Sequence, residues 1–382
     1  MSTDTIVVEN YGWKFDYTPY KFIYDVTDDI VDTHKFNKAL PTIETDLMEI
    51  SMLSSLRTSA IIHRLTRANL RKKLVDSAKF IDIVDFAEKE ILKLSRLDTK
   101  TYFSSDMTEC GIAFPIGVSV NEIAAHDTAV IDDTRMLEKG DIVKIDMGVH
   151  KDGFIIDSAF TCIVGDDGTS PYNELLKASA DSVYSAIAIS GPDARLYEIS
   201  ETIAEVIGSY QVDMNGKMID VVPVYGLGGH NIERNKLHAG KLILSRPHKI
   251  QENQKMEEGE VYAIETYAST GYGTVSQTMS NVSHYALADG GMEKRVFRRG
   301  LKNSKSGFEK WLQNRGGLPF TQRWFDPHIK RGQRSVLDML NAGVITAYPP
   351  LTDNKDSKIA QFEHTIYIKG SGVEILSLGD DY

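Results

Sequence analysis

The chain is poor in cysteine, since only Cys110 and Cys162 occur among its 382 residues. Two distant cysteines without metal-ligand spacing exclude a disulfide framework and a cysteine-based zinc site. No apolar run reaches the roughly 20 residues that a membrane-spanning helix requires. The first residues, MSTDTIVVENYGW, lack the basic and apolar regions of a signal peptide. We therefore expect a cytoplasmic protein that does not enter a membrane.

Positive charge is also scarce in this chain. The 43 lysines and arginines face 54 acids, giving a formal net charge of −11, which argues against general affinity for nucleic acid. The exception is the segment 285–347, in which basic residues outnumber acidic ones. Such a cluster either binds the phosphates of RNA or forms a solvated face. The sequence leaves both readings open, and we expect no strong binding of nucleic acid.

The pattern of apolar residues indicates a mixture of helices and strands. Apolar residues at spacings of three and four predict a helix over residues 43–75, and Asp82 or its neighbour is expected to cap the next helix. Strand-like segments punctuated by glycine and proline follow. We predict an α+β protein with a surface arm over residues 1–40, a main domain over residues 41–382 and, within it, a helical insertion over residues 285–347.

Two helical segments are faintly similar to each other. DIVDFAEKEI (82–91) and EISETIAEVI (198–207) share acids at the first and fourth places and apolar residues at the second and tenth. Amphipathic helices often show such similarity without common descent. The similarity of the two segments is therefore compatible both with a duplicated half-domain and with chance.

Two acids flank a turn in the stretch DIVKIDMGVHKDGFIIDSAFTCIV. Its alternation predicts a β-hairpin whose two-residue loop is Lys151-Asp152 or Asp152-Gly153. In both registers Asp146 and Asp157 point to the same face, and in the first they are direct cross-strand neighbours. Carboxylates this close in apolar surroundings repel each other, and a shared proton or a shared cation resolves the repulsion. We favour the cation because of the acids described next.

Further acids lie in the middle of apolar strands. Glu265 in EVYAIETYAST and Glu363 in KIAQFEHTIYI occupy positions where acids are rare unless they are paired or bind metal. A histidine follows the segment GLGG, where small residues let the backbone approach a ligand. Carboxylates with one imidazole suit Mn, Fe, Co or Zn, and two such ions about 3.5–4 Å apart would share a hydroxide for hydrolysis. The candidate metal ligands are Asp146, Asp157, His230, Glu265 and Glu363.

Eight segments resemble the methionine aminopeptidase type 2 family, in that family's order and spacing. They are AFPIGVSVNEIAAH, KIDMGVHKDGFIIDSAFT, GGHNIERNKLHAG, AIETYASTG, SHY at 283–285, YPPL at 348–351, AQFEHTIYI and the terminal GDDY. Together they span roughly residues 100–382, and the helical segments at 57–92 are more weakly similar.

The resemblance implies the pita-bread fold of creatinases and aminopeptidases. In this fold a curved antiparallel sheet carries two pairs of helices related by a pseudo-twofold axis, and the type 2 members add a helical insertion. The resemblance also implies two divalent metal ions, with Co, Mn, Fe and Zn all open. Asp157 and Glu363 would bridge the ions and Asp146 would chelate one of them. His230 and Glu265 would bind the other.

The resemblance further implies removal of the initiator methionine from nascent proteins, preferentially when the second residue is small. His126 would contact the scissile region and be the target of fumagillin-like epoxides. His238 would hydrogen-bond the peptide carbonyl, and Glu265 would shuttle a proton to the leaving amine. The pocket for the methionine side chain would include Phe114, Leu237 and His284.

Some positions depart from the family's pattern. Asp127-Thr128 stand where Tyr-Thr is usual. Gly228 stands where a polar residue is common, and Met147 stands where phenylalanine is usual. We expect these changes to lie at the pocket edge and to tune substrate preference, and none of them removes a predicted ligand.

Two other functions remain open on the sequence. A proline dipeptidase or X-Pro aminopeptidase of the same fold would share the metal ligands, but usually carries a larger N-terminal domain than the roughly 100 residues here. A non-catalytic relative would bind RNA or ribosomes through the basic segment, but such relatives have lost metal ligands. The expected partners are N-terminal methionine peptides. Ribosome association stays open, and we expect a monomer.

Overall fold

The computed structural model describes residues 44–97, 102, 109–278, 281–295, 297–298, 308–324 and 332–379. The helices are α1 (Glu44–Arg71), α2 (Phe80–Leu94), α3 (Asn173–Ala188), α4 (Leu196–Gly208), α5 (Phe308–Arg315) and α6 (Gly332–Asn341). The strands are β1 (Cys110–Val120), β2 (Ile123–Ala125), β3 (Ile142–Lys151), β4 (Phe154–Ile163), β5 (Gln211–Met214), β6 (Lys217–Asp220), β7 (Val222–Pro223), β8 (Gly228–Ile232), β9 (Leu242–Leu244), β10 (Val261–Ser269), β11 (Ser276–Gln277), β12 (His284–Leu287), β13 (Ile345–Tyr348), β14 (Leu351–Thr352), β15 (Ile359–Lys369) and β16 (Gly372–Ile375). The predicted arm over residues 1–40 lies outside the described residues.

Two antiparallel sheets meet to form the curved centre of the protein. One has the strand order β1-β3-β4 and the other the order β16-β15-β10-β8-β9. Threonine hydroxyls connect them where β4 runs beside β15. Thr365 Oγ1 accepts from the N–H of Asp157 at 2.8 Å and donates to its carbonyl at 2.5 Å. Thr161 Oγ1 makes the same two bonds with Gln361, at 2.8 and 2.6 Å.

Each sheet carries one pair of helices. α1 packs on β3 and β4, and its partner α2 packs on β1. α3 packs on β10 and β15, and its partner α4 packs on β7 and β9. Within the described part of the chain, none of the helices combines the length and apolar character needed to span a bilayer.

In both halves of the protein, an isolated β-bridge precedes the second helix of the pair. Lys79, just before α2, forms an isolated antiparallel bridge with Met136. Arg195, just before α4, forms the same kind of bridge with Lys255. The two similar helical segments of the sequence therefore occupy equivalent places. This gives their similarity a structural cause.

The repeat extends into the strands that carry candidate ligands. Gly140 and Gly259 follow the two bridges, with φ of 92° and 88°, and each N–H bonds to a carbonyl at the end of β4 or β15. Asp146 and Glu265 each lie six residues beyond these glycines. The pseudo-twofold thus places one acid at the same position of β3 and of β10.

The segment predicted as an insertion begins and ends in the paired strands β12 and β13. Inside it, the rings of Phe308 and Trp311 on α5 contact the ring of Phe320. Arg323 Nη1 donates to Glu88 of α2 at 3.0 Å. These aromatic rings belong to the main apolar core, and the contact of Arg323 with Glu88 anchors the segment to the first half of the protein.

The buried face of α1 differs from the face that its apolar spacing indicates. Ile50, Ile61 and Leu65 contribute to that spacing, yet they are 40%, 37% and 47% exposed. The buried face carries His63 and Arg67, which hydrogen-bond a carbonyl of β3 at 2.9 Å and a carbonyl after β16 at 3.0 Å. The buried face thus combines apolar residues such as Leu56 and Leu70 with polar side chains whose hydrogen bonds are satisfied by backbone carbonyls.

The predicted cap of α2 is wrong. The N-cap is Lys79, which is extended and makes no side-chain cap hydrogen bond. Asp82 lies instead in the first turn of the helix, where its negative charge interacts favourably with the helix dipole. The bridge between Lys79 and Met136 fixes the start of this helix and takes the place of a side-chain cap.

Candidate metal centre and active-site cavity

The hairpin of β3 and β4 brings the first two acids together. Its loop is Asp152-Gly153, with φ of 53° and 82°, as a type I′ turn requires at both central residues. Asp157 therefore lies opposite Gly148, diagonal to Asp146 on the same face. The alternative loop, which makes the acids direct neighbours, is wrong because an Asp-Gly pair adopts positive φ far more readily than a Lys-Asp pair.

The second sheet contributes an imidazole and two carboxylates. Glu265 of β10 lies directly opposite Glu363 of β15. His230 of β8 lies opposite Ala263, two residues before Glu265 on the same face of β10. Alternation along the strands thus directs the three side chains towards one side of the sheet.

Glycines let β8 approach its neighbours closely. A Cβ added to Gly229 would lie 2.2 Å from the carbonyl oxygen of Ala263. Gly228 has φ of 152°, and a Cβ there would lie 2.3 Å from the carbonyl oxygen of Ile243. The GLGG segment therefore permits the tight packing that sets the depth of His230.

Three of the predicted ligands converge on one buried point. One ligand atom from each of Asp157, His230 and Glu363 lies within 4.8 Å of the others. His230 Nε2 is 3.6 Å from Asp157 Oδ2. Asp146 and Glu265 are not part of this triplet. Asp146 Oδ2 accepts from Gln361 Nε2 at 3.3 Å.

The donor set fits divalent metal ions. Asp146 Oδ1 and Asp157 Oδ1 are buried and have no hydrogen-bond partner among the described residues, a costly state for a carboxylate unless a cation is bound. Burial raises the pKa of Asp146 to about 7. Burial and then the neighbouring carboxylates raise the pKa values of Asp157, Glu265 and Glu363 well above their usual range. A bound cation reverses this effect, because it favours the ionised form.

A cavity of about 500 Å³ adjoins this cluster. The ring centroid of His238 lies 4.1 Å from that of His230. The ring of His126 lies 5.9 Å from that of His284 and 5.8 Å from that of Tyr348. The predicted site residues that line the cavity are Phe114, His126, Asp146, Asp157, His230, Leu237, His238, Glu265 and His284. Glu363 joins them through the Asp157–His230–Glu363 cluster.

The histidines of the cavity are neutral near pH 7. Burial, and then the neighbouring His238, lower the pKa of His126 to about 4. Burial, and then His126, lower the pKa of His284 to about 3, and burial also lowers the pKa of His238. A neutral imidazole donates from one nitrogen and accepts at the other. His126 also has φ of 65°, a strained conformation for a residue with a side chain and one that is common at functional sites.

The sequence reasoning missed two polar residues of the site. Gln361 Nε2 donates to Tyr267 OH at 2.9 Å as well as to Asp146. Gln361 lies two residues before Glu363, and Tyr267 lies two residues after Glu265. The period of a strand places each of them on the same face as its acid. That alternation was a signal available in the sequence.

Two of the three departures from the family pattern lie away from the pocket edge, contrary to expectation. Asp127 is buried, and its Oδ2 accepts from Arg135 Nη1 at 2.6 Å. Met147 is fully buried in the main apolar core. Gly228 does line the cavity. Met147 points into the protein because it follows Asp146 in β3, and neighbours in an extended strand face opposite sides.

The arrangement of two paired sheets, helix pairs and a buried carboxylate–imidazole cluster is that of a metal-dependent hydrolase. The chain belongs to metallopeptidase family M24, whose model matches residues 54–369. It is 37% identical over 332 residues to methionine aminopeptidase 2 of Laccaria bicolor, covering 86% of this chain and 87% of that protein. It is 38% identical over 342 residues to methionine aminopeptidase 2 of Schizosaccharomyces pombe, covering 88% and 75%.

Solved structures share the fold at lower identity. A methionine aminopeptidase from Thermotoga maritima superposes with a TM-score of 0.57 at 19% identity, covering 86% of this chain and 97% of that one. A thermophilic Arx1 superposes with a TM-score of 0.67 at 18% identity, covering 86% and 90%. The predictions of the pita-bread fold, of the resemblance to methionine aminopeptidase type 2 and of a metal-dependent aminopeptidase are confirmed.

Proposed function

We propose that the protein removes the initiator methionine from nascent chains by hydrolysis, preferentially when the second residue is small. The observation that carries the proposal is the buried cluster of Asp157, His230 and Glu363 at the wall of a cavity that also contains neutral histidines. The names of its sequence relatives support the same activity.

Two divalent ions would be held by the five predicted ligands, with Co, Mn, Fe and Zn all compatible with oxygen ligands and one imidazole. Asp157 and Glu363 would bridge the ions, and Asp146 would chelate one of them. His230 and Glu265 would bind the other. When bound, the ions lower the pKa of water and polarise the scissile carbonyl.

Side chains of the cavity would then orient the peptide and move its protons. His238, neutral in its buried setting, donates a hydrogen bond to the peptide carbonyl. Glu265 carries a proton to the leaving amine. His126 contacts the scissile region, and its neutral ring is the expected nucleophile towards fumagillin-like epoxides.

The first side chain of the substrate would enter the pocket of Phe114, Leu237 and His284. Phe114 and Leu237 belong to one buried apolar cluster, and both line the cavity. An unbranched, polarisable methionine side chain suits apolar walls beside an aromatic ring. The preference for a small second residue is a steric limit at the neighbouring position.

A substrate panel tests the proposal. Purified metal-loaded protein is assayed with Met-Ala-Ser, Leu-Ala-Ser, Val-Ala-Ser and an X-Pro dipeptide. We expect cleavage of the methionine peptide above the others, and its loss in Asp157→Asn and in Glu363→Gln. Preferred cleavage of the X-Pro dipeptide would instead identify a proline dipeptidase, and retained turnover in either variant would refute the shared-ligand arrangement.

We propose that the protein does not bind RNA strongly, because its formal net charge is −11. The basic segment still exposes Lys294, Arg295, Arg298, Lys310 and Arg334, whereas two of its arginines are withdrawn from solvent. Arg315 is 2% exposed, and the side chain of Arg323 is 10% exposed and paired with Glu88. Neither is available to phosphates. Labelled RNA that shifts with the protein in a salt-dependent way would reverse this conclusion.

The remaining proposals concern the organisation of the chain. We propose a catalytic domain over residues 41–382, an inserted subdomain over residues 285–347 within it, and an arm over residues 1–40. We also keep a cytoplasmic location and a monomeric state. Limited proteolysis tests the boundaries, and light scattering tests the state of association.

A further inference from the structure

Arg315, the last residue of α5, is buried and has no part in the function proposed above. Its guanidinium donates to the carbonyls of Ile112 and Ala113 in β1, at 2.7 and 2.6 Å. The same group donates to the carbonyl of Pro319, from Nε at 3.2 Å and from Nη2 at 2.7 Å. One side chain therefore ties β1 to the segment that follows α5.

β1 needs these donors because its pairing with β3 is irregular at this point. Register shifts lie between Ile112 and Phe114 and between Phe114 and Gly117. Buried carbonyls in an irregular strand require donors from elsewhere. The hydroxyl of Tyr102 donates to the Ile112 carbonyl at 3.0 Å and accepts from Arg315 Nη1 at 3.0 Å. Arginine and tyrosine together thus fix the irregular segment.

The irregular segment carries Phe114 into the cavity, where Pro115 follows it along the wall. The phenyl ring fills the space over Gly148, since a Cβ added there would lie 2.2 Å from a ring carbon. Gly148 is the direct cross-strand neighbour of Asp157. The position of the ring is therefore fixed relative to a candidate metal ligand.

The segment 317–319, which contains the Pro319 carbonyl bonded to Arg315, forms a second wall of the same cavity. Gly317 lines the cavity, and a Cβ added to it would lie 2.8 Å from the carbonyl oxygen of Asn235. Leu318 packs in the apolar cluster that contains Phe114 and Leu237. Arg315 thus lies between two walls of the pocket and is bonded to both.

We propose that Arg315 is a positioning residue that sets the width of the side-chain pocket and so determines which first residues the enzyme accepts. The inference rests on the proposed function, because it takes the Phe114–Leu237 pocket to receive the first side chain. Arg315 acts through Phe114 on one side and through the 317–319 segment on the other. Without its fork of donors, the irregular part of β1 moves and the pocket admits a branched side chain.

Two substitutions of Arg315 test the inference in the metal-loaded full-length protein. Arg315→Met removes every donor at similar length, and Arg315→Lys keeps the charge but loses the planar fork. We compare kcat/KM for Met-Ala-Ser and Leu-Ala-Ser. The ratio of kcat/KM for the methionine peptide to kcat/KM for the leucine peptide is expected to fall about tenfold in Arg315→Met and less in Arg315→Lys. A misfit of about one methylene in an apolar pocket changes selectivity by about this factor. For Met-Ala-Ser, KM is expected to rise more than kcat falls.

Arg323→Met is the matched control, because Arg323 is also poorly exposed and bonds to Asp85 and Glu88 of α2 instead. It should lower the melting temperature and leave the ratio unchanged. In a Phe114→Leu background, Arg315→Met should change the ratio less than it does in the wild-type background, because only the 317–319 wall then still responds to the loss of Arg315. The inference is overturned if both Arg315 variants keep the wild-type ratio, whatever their melting temperatures.

If Arg315→Met does not fold, the methionine-over-leucine ratio of Arg315→Lys alone decides the inference, and an unchanged ratio overturns it. The two levels of failure are distinguishable. Wild-type protein that does not cleave Met-Ala-Ser would overturn the proposed function. Wild-type protein that cleaves it, with Arg315 variants of unchanged ratio, would overturn only the role of Arg315.

Discussion

Glu265 and Glu363 lie directly opposite each other across β10 and β15, and both are buried. Like charges in this position destabilise a sheet, and burial adds to the cost. Asp157 and Asp146 contribute further negative charge to the same site, as their effects on the pKa of Glu363 show. The fold therefore concentrates repulsion at one point, and a bound cation would relieve it. The free energy of unfolding of the protein is therefore expected to depend on bound metal.

Removal of metal is expected to lower the melting temperature. A ligand at a hundredfold excess over its Kd adds about 2.7 kcal/mol to the free energy of unfolding. Calorimetry of chelated protein, followed by titration with Mn²⁺ or Co²⁺, measures this change. Asp157→Asn should lose the response to metal yet melt higher than wild type without metal, because a neutral amide avoids the cost of burying a carboxylate and does not repel Asp146. An unchanged melting temperature on chelation contradicts the prediction.

Gly229→Ala is expected to displace His230 and to weaken metal binding. The new methyl would lie 2.2 Å from the Ala263 carbonyl oxygen, so β8 has to move away from β10. Forced overpacking of this kind costs about 1–3 kcal/mol. Urea denaturation of the chelated protein measures the loss of stability, and isothermal titration measures the metal affinity.

Gly208→Ala is the control for that substitution. Gly208 ends α4, and a Cβ there meets no heavy atom within 4 Å. Replacing a glycine in such a place leaves stability unchanged or raises it by about 0.4–1 kcal/mol. Equal behaviour of the two alanine variants would contradict the packing argument for Gly229.

An ionic contact between α1 and β16 is expected to make stability depend on acid pH. Glu374 accepts from Arg57 Nε and Nη2 at 3.0 Å each and pairs with Lys369 Nζ at 2.8 Å. Burial raises the pKa of Glu374, but these hydrogen bonds outweigh it and hold the pKa below the ordinary value of 4.5. Its contribution is therefore complete above about pH 4.5 and is lost as the pH falls through the lower folded-state value.

Glu374→Gln should therefore cost about 2 kcal/mol at neutral pH and progressively less in acid. Urea denaturation of wild type and variant across this pH range measures the difference. Glu174→Gln breaks a more exposed pair with Lys177 and should cost no more than about 0.5 kcal/mol at any pH. A cost for Glu374→Gln that does not change with pH would contradict the assignment.

His126 is expected to react with a fumagillin-like epoxide. Its pKa of about 4 leaves the ring neutral and nucleophilic, so the labelling rate should be nearly constant between about pH 6 and pH 8. Peptide mass spectrometry locates the adduct. His126→Asn should abolish labelling, whereas His248→Asn, at an exposed position, should not change it. An adduct on another residue would contradict the role given to His126.

The sequence singles out the acidic candidate ligands because each of them breaks a local rule. An acid in the middle of an apolar strand, such as Glu265 or Glu363, is conspicuous without any knowledge of the fold. The hairpin of Asp146 and Asp157 is equally local, and its register follows from the positive φ that an Asp-Gly turn adopts. Short-range patterns therefore suffice to find these side chains.

Features that depend on distant contacts could not be predicted in this way. The helix α1 buries His63 and Arg67 because a carbonyl of β3 and a carbonyl after β16 accept their hydrogen bonds. The two β1 carbonyls that accept hydrogen bonds from Arg315 are more than 200 residues away in the chain. No local period signals such a contact, since its cause is the packing of the insertion against β1.

Metal stoichiometry measured together with activity tests the central claim most directly. Chelated protein is titrated with Co²⁺ or Mn²⁺, while bound metal and the rate of Met-Ala-Ser cleavage are recorded on the same samples. We predict cleavage that rises with bound metal towards two ions per chain, and neither binding nor cleavage in Asp157→Asn. Full-speed cleavage by metal-free protein, or by Asp157→Asn, would contradict the account.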